Sequence, residues 1–169
     1  LKDYFDLFYS ENRLIGGLVW EWNDHSFPIV MDYNKPGYGG DWGDVQNDGN
    51  FCLDGLVNYR REPSTNIKEL KNVICPIDAE IKDQKLKIIN RYDFTVINKD
   101  FLIKYRIFDN LGNVLKSGNI DIIDLAPQQT FEPELSIDNY FDKDNTYLLL
   151  EFFKNDFTLG HRQFKLGKF

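Results

Sequence analysis

Asp83-Gln84-Lys85-Leu86-Lys87-Ile88-Ile89-Asn90-Arg91 decides how the larger part of the chain is read. Leu86, Ile88 and Asn90 alternate with Lys87, Ile89 and Arg91 directly after a turn at Asp83-Gln84, and a period of two gives a strand one inward and one outward face. Moving outward, the same grammar recurs at 102–109, then a turn through Asn110, Leu111, Gly112 and Asn113, then 114–120, 129–135, 146–154 and 160–166. About seven short strands over some 90 residues predict a mainly β fold, a two-sheet sandwich of immunoglobulin-like character over 77–169. Phe101, Tyr105, Phe131, Tyr140 and Phe152 stand at strand spacing. Such aromatics usually fill a core, although a row of them on an exposed face is also a carbohydrate platform.

Before residue 77 the pattern differs. Leu1, Tyr4, Phe5, Leu7, Phe8 and Leu14 recur at near-helical spacing among charged residues, which predicts an amphipathic helix over 1–14. Ile15, Gly16, Gly17, Leu18, Val19 and Trp20 follow as a short apolar run of the kind found in strands buried on both faces. Residues 23–50 are rich in Gly, Asp, Asn and Pro with Tyr and Trp between them, and read as a long ordered loop that builds a site. Ser64 or Thr65 then caps a short helix carrying Ile67, Leu70 and Ile74 on one face.

Composition narrows the partners. The chain has 169 residues, 42% hydrophobic and 15% aromatic, enough apolar surface for a core but too little length for two complete catalytic domains. A formal net charge of −7 opposes binding to nucleic acid or anionic lipid. No apolar run reaches the roughly 20 residues of a membrane-spanning helix. The opening LKDYFDLFYSENR has neither a basic nor an apolar leader region, so the expected location is cytoplasmic. It also lacks an initiator Met and starts as if inside a helix, which suggests a piece of a longer protein. Cys52 and Cys75 are the only cysteines and are expected to be buried free thiols. His25 and His161 are too far apart in sequence and context to suggest a zinc site.

Three strings carry a resemblance: GGLVWEWNDH at 16–25, YGGDWGD at 38–44 and NDGNFCLDGLV at 47–57. In this order and spacing they resemble GGFxWDWxDQ, YGGDFGD and NDxxFCxxGLV-like strings at the end of the (β/α)₈ barrel of glycoside hydrolase family 2 β-galactosidases. The resemblance is strong to about residue 71, through Pro63, Glu69 and Lys71, and resurfaces at 161–166.

The resemblance implies that 1–76 is the last αβ segment and loops of a catalytic barrel, and that 77–169 is a linker or support domain. It implies a retaining β-galactosidase acting on terminal β-D-galactosides such as lactose, with two carboxylates about 5 to 5.5 Å apart. Both catalytic glutamates fall upstream of Leu1 in the family pattern, so this chain is expected to contribute none and to be inactive alone. Trp20 matches the tryptophan that lies against the galactose, where an indole face suits the sugar's C–H bonds. Trp22 is expected to pack within the barrel mouth.

Phe51, through its carbonyl, and Asp54, through its side chain, match positions beside a monovalent cation, and Asp54 also faces substrate. The usual residue at Asp54 is Asn, so this chain adds a negative charge there. Na⁺ or K⁺ and Mg²⁺ are implied for the intact parent, with no tight binding expected of this chain. The implied partners are the β-galactoside, the remainder of the parent chain, and further copies in a homo-oligomer. Glu21, Asp24, Asp41, Asp44, Asp48 and Asp54 invite a family-blind acid/base pair, but Asp41 and Asp44 are better read as turn residues. A reading from another class is a noncatalytic carbohydrate-binding β-sandwich module, which has no reason to carry the three strings.

Overall fold

The computed structural model describes residues 1–29, 32–122 and 124–167. The chain divides into two compact units, Leu1–Val73 and Ile74–Phe169. Among the described residues no helix is long and apolar enough to cross a membrane.

In the first unit, α1 (Lys2–Ser10) is shorter than the helix expected over 1–14. It ends where Glu11 turns extended and donates its N–H to the Leu7 carbonyl. Residues 15–20 do not form the expected strand. Ile15 and Leu18 are fully exposed, because a strand buried on both faces exists only through ladder partners on its flanks, and this segment has none among the described residues. Pairing resumes one step later. Leu56 N–H donates to the Glu21 carbonyl, Val57 N–H to the Trp22 carbonyl, and Asp24 N–H to the Val57 carbonyl. Leu56 and Val57 are the buried apolar residues of this unit among the described residues.

The loop over 23–50 contains more order than expected. A small hairpin pairs β1 (Pro28–Ile29) with β2 (Asp32–Pro36), and the part of the loop reading that falls on 30 and 31 lies outside the described residues. A 3-10 turn follows at Gly49–Cys52, and α2 (Thr65–Val73) matches the expected second helix.

The second unit is antiparallel throughout. β3 (Ile77–Lys82), β4 (Lys85–Asn90) and β7 (Thr130–Phe131) form one sheet in the order β3-β4-β7. β5 (Phe101–Asp109), β6 (Val114–Ile120), β8 (Thr146–Lys154) and β9 (Phe157–Lys165) form another in the order β6-β5-β8-β9. The Asp83-Gln84 turn takes positive φ at both residues, the geometry that a two-residue hairpin's twist selects. At the next hairpin the Asp109 carboxylate accepts the N–H groups of Leu111 and Asn113 and the Asn113 amide. The expected strand over 129–135 shrinks to two residues, since Pro133 has no N–H to give a ladder.

Alternate residues of both sheets, among them Ile77, Leu86, Ile88, Ile103, Ile107, Leu148, Leu150 and Phe152, form one apolar cluster. Tyr105 and Phe152 belong to it, and Phe101, Phe131 and Tyr140 pack against it. All five aromatics are therefore used in packing. Cys75 is buried as expected, whereas Cys52 is only half-buried, and both are free thiols.

Asp78 ties β3 to β9 across the edges of the two sheets. Arg162 Nε donates to its carboxylate at 2.7 Å and an Arg91 guanidinium nitrogen at 3.2 Å. Burial opposes ionisation, but the Arg162 hydrogen bond and charge, the Ala79 N–H and Arg91 outweigh it and hold the Asp78 pKa below its ordinary 3.8. In acid the unfolded chain therefore takes up this proton before the native one does. The stabilisation is full above pH 3.8 and is lost as pH falls through the lowered native value. Asp78→Asn is expected to cost about 1 to 3 kcal/mol in urea unfolding at pH 7 and to flatten the acid limb of the stability profile. Parallel profiles for the two proteins below pH 4 would exclude this role.

Candidate active-site wall

One cavity in the first unit, about 370 Å³, is lined by Trp20, Glu21, His25, Gly39, Asp48, Gly49, Phe51, Cys52 and Asp54. Three stretches build it. The first leaves the pairing with Leu56 and Val57 at Glu21, where the Trp20–Glu21 peptide bond is cis. The second is the Gly-rich loop after β2, whose Gly39 N–H donates to the Gly49 carbonyl. The third is the 3-10 turn and the residues after it, held by the His25 N–H on the Cys52 carbonyl.

Trp20, Phe51 and Asp54, singled out by resemblance, share this cavity although the first and last are 34 positions apart. Trp20 is 77% exposed and offers an open indole face. Trp22 is 65% exposed in this chain, although its carbonyl accepts the Val57 N–H, so its side chain has no packing within the first unit to match the expected place in a barrel mouth.

Glu21, one of the carboxylates that invite a family-blind acid/base pair, has defined neighbours in the structure. Its side chain is mostly buried, lies 3.0 Å from His25 Nε2 and hydrogen-bonds Asp54. Burial pushes the Glu21 carboxyl above its ordinary pKa, and the Asp54 hydrogen bond adds to this, with His25 opposing. No local signal in the sequence reveals the Glu21–Asp54 contact, because it depends on the pairing of 21–24 with 56–57.

Asp24 positions this wall from behind. Its buried carboxylate accepts the Gly55 N–H at 2.9 Å and the Tyr59 N–H at 3.1 Å. A Cβ at Gly55 would sit 2.2 Å from the Asp24 backbone nitrogen, so only glycine lets the two segments come this close. Asp41 and Asp44 serve turns, as their surroundings suggested. Asp41 accepts the Tyr38 N–H at 2.8 Å and Asp44 the Gly40 N–H at 3.0 Å.

Among the described residues no group of three or more His, Cys, Asp or Glu side chains is arranged to hold a metal ion. The oxygen chemistry of Asp54 and of the Phe51 carbonyl nonetheless suits a hard cation, as part of a ligand set rather than the whole of it.

The chain is homologous to β-galactosidase glycoside hydrolases over most of its length. Residues 1–79, the part that builds the cavity, match the family described as Glycosyl hydrolases family 2, TIM barrel domain, and belong to the end of that barrel domain. The β-galactosidase of Actinobacillus pleuropneumoniae is 42% identical over 121 residues, 72% of this chain and 12% of the relative. That of Kluyveromyces lactis is 36% identical over 61% of this chain and 10% of the relative, and that of Staphylococcus xylosus 30% identical over 99% and 17%. The chain thus spans less than a fifth of the length of these relatives. The resemblance read from the three strings is borne out.

Proposed function

We propose that this chain supplies the substrate-side wall of a retaining β-galactosidase acting on terminal β-D-galactosides such as lactose, with both catalytic glutamates on a segment outside it. The observation that carries the reading is the meeting of Trp20, Glu21, Phe51 and Asp54 in one cavity of the stretch that matches the barrel domain. Trp20 packs its indole against the sugar's C–H face and keeps water from the reacting centre. Asp54 and Glu21 both line the cavity and offer side-chain oxygens to sugar hydroxyls. Asp54 and the Phe51 carbonyl provide two oxygens for a monovalent cation, and a bound cation would supply positive charge beside the sugar hydroxyls.

Residues 77–169 are the supporting domain after the barrel at 1–76, and we infer an immunoglobulin-like β-sandwich there. Its sheet orders, β3-β4-β7 and β6-β5-β8-β9 around one core, support that architecture. The carbohydrate-binding module reading loses its platform, since its five aromatics are used in packing.

The test compares three proteins on a chromogenic β-galactoside. The longer protein that carries this chain is expected to turn over, this chain alone to show no turnover, and Trp20→Ala in the longer protein to lose kcat/KM equivalent to about 1 to 3 kcal/mol. Turnover by the repurified chain, or an unchanged kcat/KM in a folded Trp20→Ala protein, refutes the assignment.

A further inference from the structure

We propose that Arg60 is a positioning residue that clasps the β1–β2 hairpin to the 58–62 turn and so holds two walls of the cavity in register. This inference rests on the cavity being the galactoside site. The guanidinium makes three hydrogen bonds: Nε to the Tyr59 hydroxyl at 3.0 Å, and one terminal nitrogen to the Tyr33 carbonyl at 3.1 Å and the Asn34 side-chain oxygen at 2.9 Å. The Tyr59 hydroxyl donates to the Asn34 carbonyl at 2.9 Å, and the Arg60 charge lies 5.4 Å from the centre of the Tyr59 ring. Two side chains from one turn therefore grip two consecutive residues of β2 that are 25 to 27 positions earlier in the chain.

Each end of the clasp leads directly to the cavity. On the hairpin side, β2 ends at Pro36, and Gly37 donates to the Phe27 carbonyl and accepts the Ser26 hydroxyl. Gly39, two residues on, is cavity wall and holds Gly49 through its N–H. On the turn side, the Tyr59 N–H sits on one oxygen of Asp24, whose other oxygen takes the Gly55 N–H beside Asp54. The guanidinium thus links the Gly39–Gly49 wall to the Asp54 wall without touching the cavity, of which it is not a lining residue. Only a planar, multidentate donor reaches all three acceptors at once; a lysine ammonium replaces at most part of the set.

Arg60→Ala, Arg60→Lys and Tyr59→Phe test this in two readouts. In the chain itself, hydrogen exchange at Gly37 and Gly39 is expected to quicken about tenfold or more in Arg60→Ala, with the amides of β4 and β8 unchanged. In the longer protein, Arg60→Ala is expected to raise the galactoside KM roughly three- to tenfold at nearly unchanged kcat, with Arg60→Lys and Tyr59→Phe intermediate. Unchanged exchange at Gly37 and Gly39 overturns the clasp. Faster exchange with an unchanged KM, or full recovery by Arg60→Lys, overturns its positioning role. A longer protein that lacks β-galactosidase activity with Arg60 intact refutes the functional reading instead, and the exchange measurement still decides the clasp.

Discussion

Replacing Asn90 by leucine is expected to destabilise the second unit by about 3 to 5 kcal/mol. Asn90 is fully buried at the end of β4. Its amide nitrogen donates to the carbonyls of Thr95, Leu125 and Ala126 at 2.9 to 3.1 Å, and its side-chain oxygen accepts the Tyr92 N–H at 2.9 Å. One side chain thus joins the end of a strand to two later loop segments that have few ladder bonds of their own. Leucine is branched at Cγ as asparagine is, so the site stays filled, while several backbone groups lose their partner far from water. The Leu125 carbonyl keeps the Ile97 N–H, which limits the loss.

Asn90→Asp is expected to be at least as damaging, because a carboxylate has no donor to offer three carbonyls. Asn119→Ala, at an exposed position on β6, should change stability by no more than about 0.5 kcal/mol. Urea unfolding of the three variants measures this, and a leucine variant within about 1 kcal/mol of the original chain would show that the network contributes little.

Amide exchange should separate the two units by a wide margin. In Leu148–Phe152, central in the four-stranded sheet with Leu148, Leu150 and Phe152 fully buried, exchange requires opening the whole unit. In 15–20 the backbone has no strand partner among the described residues, and Ile15 and Leu18 are as exposed as in an open chain. For a unit of ordinary stability the protection factors should differ by about 10³-fold or more. Equal protection of the two segments in a monomer would mean that 15–20 finds ladder partners within this chain, and would remove the main physical support for reading the first unit as the end of a larger barrel.

Strand-by-strand order in the second unit was legible from local pattern. Alternation in 86–91 reports which side of a pleat each residue faces, and that depends on neighbours two positions away. The Asp83-Gln84 turn and the Asp109–Asn113 turn were legible for the same reason: their chemistry closes within four or five residues. The three strings identified the family because each preserves residue types at fixed spacing.

Tertiary structure alone decided the rest. The apolar run at 15–20 reads as a strand, yet a strand is made by hydrogen-bonding partners, which the run does not contain. Glu21 meets Asp54 across 33 positions, Arg60 meets Asn34 across 26 and Arg162 meets Asp78 across 84. Asn90 reads in the sequence as one more inward strand residue, and nothing near it announces three carbonyl acceptors. A side chain's preference for burial or exposure is encoded locally, whereas the partner it meets depends on the path of every loop between them.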